Sequence, residues 1–261
     1  MPEPFTTWGE GWLWLGGSLL LAFLWANLAW FFRQPRPGTT GKFVTRLVAY
    51  RFSPSLFQLL RLLYYVGVPL AALLWGHDAI VESFLGLGAA TWLDRARDVG
   101  WAVTLGSGAC ALLALGWWTY CRALTAAGKE STVAGANASG WVLLREAAYH
   151  EAHWAFYRNA PVVAGGTYWG AWGGLALVAL EAVLNPAWRK GLAEPQKAPA
   201  QLMRAALAVV SSVLFLLTGK GNLWLALALH WGVSWGLAAL VQALASSVRP
   251  PRETSNVKRQ T

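Results

Sequence analysis

The stretch NLWLALALHWGVSWGLAALVQAL (222–244) runs for 23 residues without a Lys, Arg, Asp or Glu. At about 1.5 Å per residue, a helix of roughly 20 residues crosses the hydrocarbon core of a bilayer. The stretch therefore reads as a membrane span, and similar runs recur back along the chain. They are GWLWLGGSLLLAFLWANLAWFF (11–32), LLRLLYYVGVPLAALLWG (59–76), VGWAVTLGSGACALLALGWWTY (99–120), TYWGAWGGLALVALEAVL (167–184) and RAALAVVSSVLFLLTG (204–219). The 261 residues are 56% hydrophobic and 13% charged. A soluble domain carries about 25% charged residues, so a soluble globular fold is excluded. The expected fold is all-α, a polytopic transmembrane helical bundle of about seven spans, with six to eight as the range.

Basic residues alternate along this pattern. Arg33, Arg36, Lys42, Arg46 and Arg51 follow the first span, Arg122 and Lys129 the third. Arg189, Lys190, Lys197 and Arg204 precede or open the 204–219 run, and Arg249, Arg252, Lys258 and Arg259 fill the tail. The first 32 residues have no Lys or Arg, and the final hairpin has only Lys220. Basic groups retained on the cytoplasmic side give this alternation, with the N-terminus outside and the C-terminus inside, as in a prokaryotic plasma membrane. The net charge of +9 then reflects topology and anionic lipid rather than nucleic acid.

Three regions follow: N-terminal spans with a basic loop (1–139), a helical core (140–247) and a polar tail (248–261) expected to be disordered. The first apolar run lacks a basic leader and reads as a retained span. Residues 77–98 read as an interfacial or re-entrant piece, with a full span as the alternative, and His77 beside Asp78 as interfacial. AAGKESTVAGANASG (126–140) is a flexible linker, followed by a helix from Ser139 or Gly140 toward Ala160 that bends at Pro161. Cys110 and Cys121 lie in or at the end of one span and form neither a disulfide framework nor a metal motif. Trp188, Trp224 and Trp231 near span ends suit headgroup anchoring.

REAAYHEAHWAFYRN (145–159) concentrates charge in an apolar chain. Helical spacing puts Glu146, His150, His153 and Tyr157 on one stripe, and Ala147, Glu151, Trp154 and Arg158 on the next. Unpaired ions inside a membrane are expensive, so these groups need partners or water. His230 is isolated in its apolar span, with Ser234 one turn later. Glu181 and Asn185 interrupt another span and share a face, while Asn185 before Pro186 also reads as a helix terminator. Glu146, His150, His153 and His230 form an alternative set of ligands for a divalent metal or, less naturally, haem. Transport along the polar interior is a further class, without an inverted repeat to support it.

GKGNLWLALALHWGVS (219–234) resembles the last signature of the CPBP family of intramembrane proteases, which includes the CAAX prenyl protease. Asn222, Leu223, Trp224, His230 and Ser234 carry the resemblance. That family's Glu-Glu-plus-Arg signature can be aligned on Arg158, which places His153 and Trp154 at the paired-glutamate positions and Glu151 two residues early. LEAVLNPAW (180–188) offers Asn185 where the family has a histidine. The resemblance implies a glutamate-dependent endopeptidase with no cofactor, acting on a membrane-embedded or lipidated peptide. Glu151 would be its general base, assisted by Glu146. His230 would position water or polarise the carbonyl, Ser234 or Asn185 would be a supporting donor, and Arg158 a counter-ion. A non-catalytic CPBP-like protein with a structural or partner-binding role is the other expectation.

Overall fold

The structure, a computed structural model, describes residues 4–34, 38–75, 91–127, 138–195, 197–219 and 221–248. All elements among them are helical: α1 (Pro4–Arg33), α2 (Gly38–Val48), α3 (Ser53–Leu62), α4 (Val68–Leu74), α5 (Trp92–Ala126), α6 (Gly140–Leu184), α7 (Pro186–Ala193), α8 (Ala198–Thr218) and α9 (Leu223–Val248). His77, Asp78, the 77–90 part of the expected interfacial piece, most of the 126–140 linker and nearly all of the tail lie outside the described residues. Residues 92–98 instead open α5. Thr91 Oγ1 accepts from the Asp94 amide, and the Asp94 carboxylate reaches back to Thr91, so this helix starts on a reciprocal cap.

Among the described residues, six helices are long and apolar enough to cross a membrane. One of them, α6, has 45 residues, about 68 Å if straight at 1.5 Å per residue, twice the thickness of a hydrocarbon core. It is not straight. Gly166 takes φ 78° and ψ −176°, a conformation closed to residues with a Cβ, and the chain folds back there. Gly170, Gly173 and Gly174 of the second arm (167–184) lie against Val162, Pro161 and Arg158 of the first (140–165). Counted by arms, the described residues hold seven long helical segments, within the expected range of six to eight. The bend expected at Pro161 thus falls five residues later. Proline removes one helical hydrogen bond, but only glycine can take the reversal.

Between α3 and α4, Leu63–Gly67 forms one turn of π-helix, closed by Val68 N–H donating to Leu63 O. Pro69 follows, lacks an N–H and crowds the preceding turn, so a widened turn accommodates it. Ser139 caps α6 by accepting from Val142 N, and Gly219 at φ 69° ends α8 in the left-handed conformation.

The first arm of α6 lies between two apolar clusters. Leu15, Ala72, Phe156, Tyr157 and Ala160 join it to α1 and α4; Trp154, Leu207, Leu214, Leu229 and Val233 belong to the cluster joining it to α8 and α9. Large apolar side chains such as Leu13, Leu74 and Leu112 cover the outside, while Glu151, His153, Arg158, Ser211, Ser212 and His230 are buried. Apolar groups outward and ions inward is the arrangement of a multi-pass helical protein in a bilayer.

Candidate functional site

The two polar stripes of the first arm of α6 face different neighbours. On the α8/α9 side, His230 Nδ1 lies 2.9 Å from Glu151 Oε1. Ser211 Oγ donates to Glu151 Oε2 at 2.5 Å. Arg158 Nη2 in turn donates to Ser211 Oγ at 3.0 Å and Ser212 Oγ at 3.2 Å. Ser211 both accepts from Arg158 and donates to Glu151, and an Nδ1–H tautomer of His230 would donate to the other carboxylate oxygen. Arg158 is therefore joined to Glu151 through a serine. Its guanidinium also lies 5.3 Å from the ring centre of Phe215. This network ties three helices together, and Glu151 has side-chain exposure of only 1%.

On the other side, His153 Nε2 lies 3.0 Å from Glu181 Oε2 and 3.1 Å from the Tyr64 hydroxyl. Tyr64 is also 3.3 Å from the Tyr157 hydroxyl. With Nε2–H donated to Glu181, His153 Nδ1 is a buried acceptor without a hydrogen-bond partner. Glu181 thus belongs to a second Glu–His pair joining the two arms of α6, and the π turn delivers Tyr64 to it. Farther along the stripe, Arg61 grips Glu146 through two hydrogen bonds, 2.9 and 2.6 Å long, and Arg145 adds a third contact at 3.1 Å.

The cavities sort these groups. A cleft of about 780 Å³ opens at the end of the bundle where α1 ends and α3 and α8 begin, and Arg61, Tyr64, Glu146, Glu181, Asn185 and Arg204 line it. A second cavity of about 370 Å³ shares Tyr65, Glu181 and Arg204 with the first and includes His150 and His153. Glu151 lines neither. With Arg158, Ser211 and Asn222 it borders a void of about 10 Å³, at the lower limit for one water molecule.

Glu151, His230 and Arg158 are therefore brought together, while Glu146 pairs elsewhere and is not beside Glu151. Asn185 does not join them: its Oδ1 caps α7, accepting from Ala187 N at 3.0 Å and Trp188 N at 3.4 Å. Ser234 is buried on α9. His150 stacks with Trp154 at 5.4 Å and lies parallel to His230 at 5.7 Å. Glu146, His153 and His230 each have a different partner, and among the described residues no group of three His, Cys, Asp or Glu side chains gathers in a metal-holding arrangement. Arg61, Tyr64 and the Ser211–Ser212 pair are site members that periodicity of the charged stretch alone does not reveal. Their signals are an arginine inside the apolar LLRLLYY and two adjacent hydroxyls inside VVSSVLF. Comparison with protein-family models, curated proteins and solved structures returned no match.

Proposed function

We propose that this chain is a CPBP-like multi-pass membrane protein that works by binding a partner or ligand in its open cavity rather than by cleaving it. The separation of Glu151 from that cavity carries the reading. Both of its oxygens are bonded within the protein, and the void beside it admits no more than about one water. Holding three helices by a buried carboxylate, imidazole and guanidinium is a structural task, because each charge compensates the burial of another. The cavity instead meets the end carrying Arg33, Lys190, Lys197 and Arg204. Basic residues favour the cytoplasmic side, so the cavity opens there and the N-terminus lies outside.

A second reading keeps the peptidase, and the Glu151–His230 contact of 2.9 Å favours it. A carboxylate held by an imidazole is the arrangement a water-activating base needs, provided the void widens to admit substrate. The two separate on a membrane-peptide library incubated with wild type, Glu151→Gln and His230→Ala. The binding reading expects no cleavage above that of the Glu151→Gln protein. Cleavage by wild type that disappears in both variants would establish the peptidase.

A further inference from the structure

We infer that the paired cavities form a site for an anionic amphiphile, with a phosphoryl head seated at Arg204 and an apolar chain running out between the second arm of α6 and α8. The inference rests on the binding reading above and names the ligand class of that same site. The first cavity supplies the charge. Five basic side chains (Arg33, Arg61, Lys190, Lys197 and Arg204) line it against two carboxylates, Glu146 and Glu181. Most of these are engaged: Arg61 holds Glu146, Lys197 and Lys190 lie near Glu194, and Arg33 stands over Phe57. Arg204 makes no hydrogen bond or ion pair with a described residue and lies where the two cavities meet.

The second cavity supplies the tail path and further contacts for the head. Leu175, Val178, Ala179, Ala205, Ala208 and Val209 form apolar walls. Val183 and Val209 at its edge are 56% and 43% exposed, on the outer surface that lipid covers, so a chain can leave sideways into the bilayer. At the inner end, His150 Nδ1 and His153 Nδ1 are buried without a hydrogen-bond partner, and both residues line the cavity. Buried polar atoms of this kind are costly unless something bonds them. A purely apolar chain cannot, whereas a hydroxyl of a lipid head can donate to an unprotonated ring nitrogen such as His153 Nδ1. The volume of about 370 Å³ falls within the ~300–1,000 Å³ of ordinary ligand sites.

The test is binding to the full chain in a neutral detergent, measured by native mass spectrometry. The probes are palmitoyl lysophosphatidylglycerol (anionic, with a chain), palmitoyl lysophosphatidylcholine (zwitterionic, with the same chain) and glycerol phosphate (a head alone). Wild type is expected to prefer the anionic lipid about tenfold, because both lipids carry the phosphodiester but only choline brings a positive charge into the basic cleft, and to bind glycerol phosphate far more weakly. Arg204→Gln should remove that preference, and Ala179→Trp, which fills the apolar path from an exposed position, should abolish binding of both lipids. Arg46→Gln on α2 controls for general attraction to basic surface and should change nothing. Equal affinity for the two lipids, or equal loss in Arg204→Gln and Arg46→Gln, would overturn the anionic class and leave the binding cavity standing. Glycerol phosphate binding as tightly as the lysolipid would overturn the role of the chain. Unchanged lipid binding by Ala179→Trp would sink both this inference and the binding reading.

Discussion

Two glutamate–histidine pairs sit back to back on one helical arm, with the same chemistry and different surroundings. Glu151 meets His230 at 2.9 Å with side-chain exposures of 1% and 5%. Glu181 meets His153 at 3.0 Å, but its carboxylate is 20% exposed and forms part of the cavity wall. The first pair is surrounded by protein, with serine and arginine completing its bonds. The second leaves an imidazole nitrogen unpartnered and a carboxylate accessible from the cleft. Residue type and spacing alone do not separate an enclosed pair from an open one in this bundle. Access does, and access depends on which neighbouring helix each stripe faces.

If this contrast is right, removing Glu151 has the largest effect. Glu151→Ala strips the acceptor from His230 and Ser211 and leaves Arg158 buried without its compensating charge. Breaking a buried pair from one side costs about 3 kcal/mol or more. The expected outcome is a fall in thermal midpoint in neutral detergent well beyond that of any change at Glu181. Near-equal stability of Glu151→Ala and wild type would dissolve the distinction between the pairs.

A wedge between the arms comes next. A Cβ on Gly174 would stand 2.5 Å from Arg158 Cγ and 3.1 Å from its Cα, and backbone cannot move aside as a side chain can. Gly174→Ala should cost about 1–3 kcal/mol, as overpacking does. The same spreading should pull Glu181 from His153 while shifting Arg158 from Ser211, so both pairs are disturbed by one methyl group. A midpoint as high as wild type's would argue against the close glycine seam of the hairpin.

How much of this is legible in the sequence follows from what each feature depends on. The spans and the division of 145–159 into two stripes are local, set by hydropathy and the helical repeat, and the structure has both, except that His150 stacks on Trp154 and His230 of the other side. The Gly166 reversal was readable only as one glycine among several in VVAGGTYWGAWGG, because any of them can take positive φ and only the packing of Gly170, Gly173 and Gly174 selects one. The Glu151–His230 pairing joins residues 79 apart in sequence; His230 stands out by its isolation, and the resemblance around it points to the partner. Glu181 stands out as a polar intrusion, but four-residue spacing groups it with Asn185 on one face. Its actual partner, His153, lies across the hairpin and depends on tertiary register. Tyr64 depends on the π turn, which shifts the face that a regular helix would present.

A smaller effect is expected at the open pair. Glu181→Gln keeps the shape of the side chain and retains an oxygen that can accept from His153, so the loss is that of a charge-assisted bond becoming a neutral one, about 1 kcal/mol. Access is the sharper readout. A water-soluble carbodiimide should modify Glu181 in the folded protein and leave Glu151 untouched, as peptide mapping would show. Equal modification of both would mean that the Glu151 network opens as readily as the cleft.

The smallest effect belongs to the rim. Arg61 and Glu146 form a two-bond ion pair, yet their side chains are 18% and 22% exposed beside the large cleft. The cleft admits water and salt to the pair, and Arg145 remains on Glu146 at 3.1 Å when Arg61 is gone, so Arg61→Ala should cost only about 1 kcal/mol. Screening also fixes the sign of the salt dependence. Raising salt weakens the pair in wild type and has nothing to weaken in the variant, so the gap between their thermal midpoints should shrink. The gap between wild type and Glu151→Ala should stay put, because counter-ions do not enter a void of about 10 Å³. A salt-insensitive Arg61→Ala loss as large as that of Glu151→Ala would mean that the rim is as dry as the enclosed pair, and the physical basis for separating the two glutamate–histidine pairs would be gone.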